Sequence, residues 1–247
     1  MELAQGVLRP APLKGCASPS IRTAILGALE RVNPGRGFRE AVLPRLHPWR
    51  AYLQGGLVRN VLVSEVFRRA IPSRDIDVVV EGCPSRESLQ LALSGFSTGC
   101  NTFGGFKVTL VDVDVDVWRL EDHRGGKRSS RTIEEVLASV TTRLDAVAYD
   151  LSGARLIDFG CREDAERRVL ESPPGARWEP ESAGHCLAHV AKLLHRTGFS
   201  LGPDLKAIVR EHASGVALRR AGAFLERAMS RGRARSRLAA LIRRGEG

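Results

Sequence analysis

The stretch AYLQGGLVRN at 51–60, followed by SRDIDVVV at 73–80, decides the fold of this chain. Its apolar start predicts a short strand, which Gly55 and Gly56 close with a tight turn. The residues after the glycines, 57–70, predict a helix. Because the first turn of a helix presents free backbone N–H groups, this turn predicts a corner that binds an anion such as a phosphate.

Two carboxylates open the next predicted strand, which runs over 75–80. Asp75 and Asp77 face the same side, because strand residues alternate, and their Cα atoms lie about 6–7 Å apart. Such a pair repels and loses hydration unless cations lie between the two groups. Magnesium prefers hard oxygen ligands of this kind, and two ions support in-line phosphoryl transfer. The pattern predicts that a nucleoside triphosphate and two Mg²⁺ ions, for which Mn²⁺ can substitute, share this site with the glycine turn.

The segment VDVDVDVW at 111–118 supplies candidates for a third carboxylate. Two-metal transfer needs such a group as a base for the attacking hydroxyl and as a ligand for one metal. Asp112, Asp114 and Asp116 alternate along the predicted strand and would share one face, although Asp112 can instead lie in the preceding turn. Like charges on one face repel each other, which is unusual for a merely structural strand.

Cations near the predicted carboxylates are candidates for contacts with a triphosphate. Arg59 lies in the first turns of the predicted helix, where it can reach a phosphate or stay on the surface. Lys107 and Arg119 flank the acidic strand and can neutralise either the triphosphate or the carboxylates. The segment 101–105 offers backbone donors near the strand entry or is only a loop.

These residues resemble the nucleotidyltransferase superfamily, most closely the head domain of poly(A) polymerases and CCA-adding tRNA nucleotidyltransferases. The likeness covers about 50–200 and is strongest over 50–80. It implies a magnesium-dependent enzyme that transfers a nucleotide, from ATP or another triphosphate, to the 3′ end of a tRNA or similar small RNA without a template. The matched residues are Tyr52, Leu53, Gly55, Gly56, Val58, Arg59, Asp75, Ile76 and Asp77.

The resemblance also bears on the third acid. Related families with a Trp two residues after the acid favour Asp116, whereas the CCA-adding pattern, an acid four residues before an aromatic–arginine pair, favours Asp114. We prefer Asp116, which together with Asp75 and Asp77 would hold the metals. It would also activate the attacking 3′ hydroxyl.

Two segments depart from the CCA-adding pattern. In the family, the first segment reads Arg-Arg-Asp, followed later by an asparagine, and it helps to hold the incoming nucleotide. The second segment is a neck helix that contains arginines. The departures leave open transfer to a protein or small molecule by the same head, or an RNA-binding module without activity. The substituted positions are Ser139, Val140, Thr141 and Asp145, then Cys186, His189 and Lys192, whereas Arg196, Gly198 and Phe199 match.

The element pattern predicts an α/β (α+β) fold, with a mixed-sheet head of the nucleotidyltransferase type followed by an all-helical neck and body. We expect an N-terminal helical segment at 1–48, the catalytic head at 49–162 and the helical part at 163–247. The first 18 residues, which contain Pro and Gly, are expected to be poorly ordered. Further helices are predicted at 21–32, 38–46 and 84–93, and further strands at 106–110, 113–118, 144–150 and 155–159.

The composition argues against several classes of protein. A chain of 247 residues with 43% hydrophobic content can form a core, yet it has no apolar stretch of membrane-spanning length and no secretory signal pattern. Its five cysteines form no CxxC motif and indicate free thiols in the cytoplasm. His185, Cys186 and His189 lack the companion ligands of a zinc site.

The net charge of +10 is concentrated near the C-terminus, where nine arginines follow position 218. A helix with arginines on one side and apolar residues on the other predicts binding to the phosphate backbone of an RNA, and a solvated helix face is the alternative. The arginines chosen as RNA contacts are Arg231, Arg233, Arg235 and Arg237.

Overall fold

The computed structural model describes residues 13–34, 37–100, 104–111, 113–122, 132–228 and 231–246. It confirms a mixed α/β head followed by a helical part. The strands are β1 Leu13–Cys16, β2 Arg50–Gln54, β3 Asp75–Glu81, β4 Ser97–Cys100, β5 Phe106–Thr109, β6 Asp114–Arg119, β7 Val147–Asp150, β8 Arg155–Asp158, β9 Val169–Leu170 and β10 Ser200–Leu201. The helices are α1 Pro19–Val32, α2 Gly56–Phe67, α3 Arg86–Ala92, α4 Ile133–Ala138, α5 Cys161–Arg167, α6 Ala183–Thr197, α7 Pro203–His212, α8 Gly215–Ala228 and α9 Arg231–Glu246.

Within the described residues, eight strands form one sheet in the order β1-β8-β7-β2-β3-β6-β5-β4. One neighbouring pair, β3 and β6, is parallel, and the other neighbours are antiparallel. The parallel pair therefore requires a crossover, which contains α3, β4 and β5. The two short strands β9 and β10 pair with each other instead, in parallel.

The two faces of the sheet bury different apolar sets. Val78 and Val80 of β3 pack into a cluster that includes α1, α2 and the helices after α5, whereas Val79 joins a smaller cluster with α4. Asp75 and Asp77 share the side of Val79, because residues of a strand alternate. The acidic pair thus lies on the second face, toward the start of the strand.

Local chemistry explains where the helices of the head begin and end. The Ser18 hydroxyl accepts the Ile21 N–H at the start of α1, and the Thr132 hydroxyl does the same for Glu135 at α4. Helix α2 ends at Phe67 rather than at the predicted position 70, because Arg68 takes a left-handed conformation with φ 50°.

The structure differs from the sequence prediction at both edges of the sheet. Residues 13–16, expected to be poorly ordered, form an edge strand on β8, and β4 was missed because Ser97–Cys100 has no apolar alternation. The predicted helix 38–46 is a π-helical turn at 38–42 and a 3₁₀ turn at 43–46. Pro44 has no N–H to donate to the carbonyl four residues back, so a regular α-helix cannot continue there.

The remaining helices pack together after the head. Helix α6 lies against α8 and α9, and α7 also packs on α9. Among the described residues, no helix combines the length and apolarity needed to cross a membrane.

Candidate active site

Four carboxylates face one another across β3 and β6. The register pairs Asp75 with Asp114 and Asp77 with Asp116. Because the strands are parallel and neighbours lie about 4.8 Å apart, both pairs project from the same face at the same level. Four negative charges placed this closely are unfavourable in an empty site and favour cations.

The glycine turn lies directly against this acidic face. Gly55 adopts φ +71°, and a Cβ atom there would lie 2.5 Å from Oδ2 of Asp77. The backbone N–H of Gly56 lies near the carboxylate of Asp77 and favours its charged form. Only a glycine both tolerates this conformation and leaves room for the carboxylate. The glycine turn therefore determines where the carboxylate of Asp77 lies. It is also the turn at which the sequence predicts a phosphate-binding site.

The surroundings of Asp77 disfavour the charged form of its carboxylate. Burial, followed by the negative charges of Asp75 and Asp116, raises the pKa of Asp77 to about 8, although Arg59 and the Gly56 N–H oppose this shift. A group in this state gains most from a cation that approaches between Asp77 and its neighbours.

Lys107 distinguishes the two candidates for the third acid. Lys107 lies on β5, where its backbone pairs with that of Asp116 on β6. Its Nζ lies 2.9 Å from Oδ2 of Asp114 and 3.9 Å from Oδ1 of Asp116. Asp114 also accepts a hydrogen bond from the Thr109 hydroxyl at 3.1 Å. The Lys107 and Thr109 hydrogen bonds hold the pKa of Asp114 below its ordinary value. Asp114 is thus held by Lys107 and Thr109, whereas Asp116 faces Asp77 across the two strands.

The donor set fits magnesium, although the protein alone does not form a complete cage. Among the described residues, no group of three or more His, Cys, Asp or Glu side chains could hold a metal ion. Magnesium commonly uses one or two protein carboxylates and completes its shell with substrate phosphates and water. Asp75 and Asp77, beside the glycine turn and with Asp116 across from them, suit this kind of shared coordination.

Arg59, predicted as a phosphate contact, is held by other side chains of the head. It is buried, its Nε donates to Oδ1 of Asn60 at 3.0 Å, and its Nη1 pairs with Oδ1 of Asp145. Its Nη2 nevertheless remains close to the turn, 3.5 Å from where a Cβ would lie on Gly56. Arg59 thus lies next to the glycine turn and forms an ion pair with Asp145.

Asp145 is the centre of a buried polar cluster that the sequence did not reveal. Besides Arg59, it receives a hydrogen bond from the Thr142 hydroxyl at 2.6 Å and contacts Nε2 of His189 at 2.8 Å. Burial opposes its ionisation, but His189, Arg59 and the Thr142 hydrogen bond together hold the pKa of Asp145 well below its ordinary value. Asp145 stands where the family pattern has an asparagine, and His189 stands where it has an arginine. This paired change of charge was the sequence signal that could have indicated a contact between the two residues.

Arg119 lies outside the site. It points to the other face of β6 from Asp114 and Asp116, because its position in the strand is odd and theirs are even. There it pairs with Glu121 at 3.4 Å and Asp122 at 3.3 Å. Arg119 was predicted as a nucleotide contact because it flanks the strand in sequence, but flanking a strand does not imply sharing its face.

Some predicted residues lie outside the part of the chain that the structure describes. These are Asp112, residues 101–103 of the loop, and the side chains of Arg231 and Arg235. On the described part of α9, Arg233 is exposed and Arg237 is partly buried. The cysteines whose side chains the structure describes, Cys83, Cys100, Cys161 and Cys186, form no disulfide with one another.

Comparisons with known proteins agree with this architecture. No protein-family model matches the chain. The CCA-adding enzyme of Geobacillus kaustophilus is 26% identical over 177 residues, which cover 68% of this chain and 41% of that enzyme. The CCA-adding enzyme of Geobacillus stearothermophilus is 23% identical over the same length, with the same coverage.

Solved structures show the same fold. The Thermotoga maritima CCA-adding enzyme complexed with tRNA has a TM-score of 0.54 and 19% identity, covering 92% of this chain and 52% of that one. The Bacillus stearothermophilus CCA-adding enzyme in complex with CTP has a TM-score of 0.54 and 24% identity, covering 70% and 42%. The chain spans about two-fifths of the length of the curated relatives that it matches.

The mixed sheet, the glycine turn and the facing carboxylates define a nucleotidyltransferase-type head joined to a helical part. Its predicted resemblance to the poly(A) polymerase and CCA-adding nucleotidyltransferase family is confirmed by these relatives.

Proposed function

We propose that the protein transfers a nucleotide from a nucleoside triphosphate to the 3′ end of a tRNA-like RNA, without a template and with Mg²⁺. The observation that carries this function is the pairing of Asp75 with Asp114 and Asp77 with Asp116 beside the Gly55 turn. The relatives solved with CTP and with tRNA support the same two partners for this chain. An enzyme of this kind would act in the cytoplasm.

Each residue has a separate task in this reaction. Asp75 and Asp77 would hold the metal ions, which supply positive charge for the triphosphate and the leaving pyrophosphate. Asp116 would accept the proton of the RNA 3′ hydroxyl, whose oxygen then attacks the α-phosphorus. Lys107 holds Asp114 more closely than Asp116, at 2.9 Å against 3.9 Å, and Asp116 stands beside the metal-holding Asp77 in the strand register. Gly55 leaves room for Asp77, and the Gly56 N–H favours the charged form of its carboxylate.

Incubation with each labelled nucleoside triphosphate, total RNA and Mg²⁺ tests the proposed function. A labelled RNA whose label is released by 3′ exonuclease digestion supports it. A labelled protein band would instead indicate the protein-acceptor alternative, and no label with any acceptor would indicate an inactive RNA-binding module.

The identity of the third acid can be tested with two substitutions. Asp116→Asn is expected to lower the rate of nucleotide transfer at least about a hundredfold, because the general base is lost. Asp114→Asn is the matched control, and we expect a smaller loss since Asp114 is already paired with Lys107. Single-turnover rates at saturating nucleotide compare the two, and the reverse order would assign the base to Asp114.

The choice of nucleotide should differ from ordered C, C, A addition. Ser139, Val140 and Thr141 replace the Arg-Arg-Asp of the family pattern, and they offer at most hydroxyl groups where directed hydrogen bonds to the nucleotide are needed. We expect loose selection, or selection of one nucleotide through other residues. Sequencing the products made on a tRNA lacking its terminal CCA measures this, and clean CCA synthesis would contradict the expectation.

A further inference from the structure

Helix α6 presents two cations on the side away from its apolar core. Leu193 and Leu194 are buried, whereas Arg196 is exposed and Lys192 is partly buried. Lys192 and Arg196 are four residues apart, so they are neighbours on one helix face. Among the described side chains, neither residue lies within ion-pair distance of an acid.

Helix α9, which packs on α6, presents a second pair with the same spacing. Arg233 is exposed and Arg237 is partly buried, while Ala234 and Leu241 fill the core between the helices. The Nε atom of Arg237 is buried and has no hydrogen-bond partner within the described structure. A buried cationic donor without a partner is unfavourable, and an anion that reaches it removes the penalty.

The two pairs meet and lead back to the carboxylates. Burial lowers the pKa of Lys192, and the neighbouring charges of Arg237 and Arg196 lower it further. Burial likewise lowers the pKa of Arg196, with Arg59 and Arg74 adding to the effect and Asp75 opposing it. Geometry gives the same direction, because His189 precedes Lys192 and Arg196 on one face of α6 and lies 2.8 Å from Asp145, the partner of Arg59 in the head. The face that carries Lys192 and Arg196 therefore begins beside the head, and α9 packs on the same helix.

We propose that Lys192, Arg196, Arg233 and Arg237 form a phosphate track that binds the single-stranded 3′ end of an RNA and leads it toward Asp75. The four cations lie in two pairs on two helices, an extended arrangement that suits successive phosphodiesters better than one compact triphosphate. The inference rests on the proposed function for its ligand, but it adds Lys192 and Arg196, which the basic C-terminal helix alone does not include.

Binding of a fluorescent single-stranded RNA in EDTA tests the track without requiring catalysis. The variant Lys192→Gln/Arg196→Gln/Arg237→Gln keeps most of each side chain and removes three charges. We expect the Kd to rise at least about tenfold, and the slope of log affinity against log salt to fall by about two, since each contact on a single strand contributes roughly 0.7. The matched control Arg22→Gln/Arg31→Gln/Arg39→Gln removes the same net charge from the N-terminal segment and should change the slope little.

Each outcome has a separate meaning. If the track and control variants lose equal affinity, the effect is one of net charge and the track is overturned. If RNA binding stays unchanged while binding of Mg²⁺-ATP and Mg²⁺-CTP in equilibrium dialysis weakens, the phosphates belong to the nucleotide and the RNA track is again overturned. RNA binding that depends on the track in a protein without transfer activity would sink the proposed function but retain the track.

Because Arg196 is exposed, a substitution there tests RNA binding without affecting the stability of the fold. Arg196→Gln alone should leave the thermal unfolding midpoint unchanged and still reduce the salt slope by roughly 0.7, the contribution of one contact. Arg196→Lys should restore most of the slope, because a phosphate contact of this kind needs the charge more than the planar guanidinium. A slope that stays at the wild-type value in Arg196→Gln would remove this residue from the track.

Discussion

Replacing Asp77 with asparagine is expected to lower the rate of nucleotide transfer at least about a thousandfold, while the protein stays folded. Loss of a metal-holding carboxylate removes several kcal/mol of transition-state stabilisation, and about 4 kcal/mol corresponds to three orders of magnitude. Stability without metal should stay unchanged or rise slightly, because one of the mutually repelling carboxylates of the Asp75–Asp116 face is removed. Asp75→Asn should behave in the same way.

Transfer rates with saturating Mg²⁺ and thermal unfolding without metal measure these two effects. Asp204→Asn, on α7, is the matched control, because it removes an exposed carboxylate outside the site and should retain wild-type activity. Full activity in Asp77→Asn would show that the acidic face is not the reaction centre, even though the fold of the head is shared with its relatives.

Removing the carboxylate of Asp145 is expected to lower the free energy of unfolding by about 3–5 kcal/mol at neutral pH. Asp145→Ala leaves the guanidinium of Arg59 buried without its partner, and breaking one side of a buried ion pair has this magnitude. The folded-state pKa of Asp145 is depressed, so its contribution to stability is present above the pKa of the unfolded chain, near 3.9, and is lost as pH falls through the acid range. The difference between the two proteins should therefore shrink below about pH 4.

Urea unfolding of wild type and variant at neutral and acidic pH measures this contribution. Glu211→Gln, on an exposed part of α7, is the control and should stay within about 0.5 kcal/mol of wild type. A further variant, Arg59→Met/Asp145→Ala, should lose less stability than the two single changes together, because they share one interaction. Strict additivity of the two losses would contradict the pairing.

The sequence was sufficient for features that depend on local rules. The alternation of β3 placed Asp75 and Asp77 on one face, and the spacing of β6 did the same for Asp114 and Asp116. The glycine turn was also local, although its close approach to Asp77 required the tertiary structure. These features predicted the class of fold, and the roles of the acidic residues remain predictions.

Features that depend on distant contacts could not be predicted. Arg59 looked like a free cation near a helix start, but its partner lies 86 residues away along the chain. The pairing of β1 with β8 likewise depends on an open sheet edge rather than on the composition of Leu13–Cys16. The position of Arg119 could have been predicted, since counting positions along β6 already places it on the other face from Asp114 and Asp116.

The cluster around Asp145 has a mechanical consequence. Arg59 and Asp145 both belong to the head, whereas His189 belongs to α6, so rotation of the head against the helices would break the contact between His189 and Asp145. This contact ties the two parts of the molecule together. Under the proposed function, an RNA that gains a nucleotide would therefore slide back by one step, and the contact between the head and α6 would stay in place.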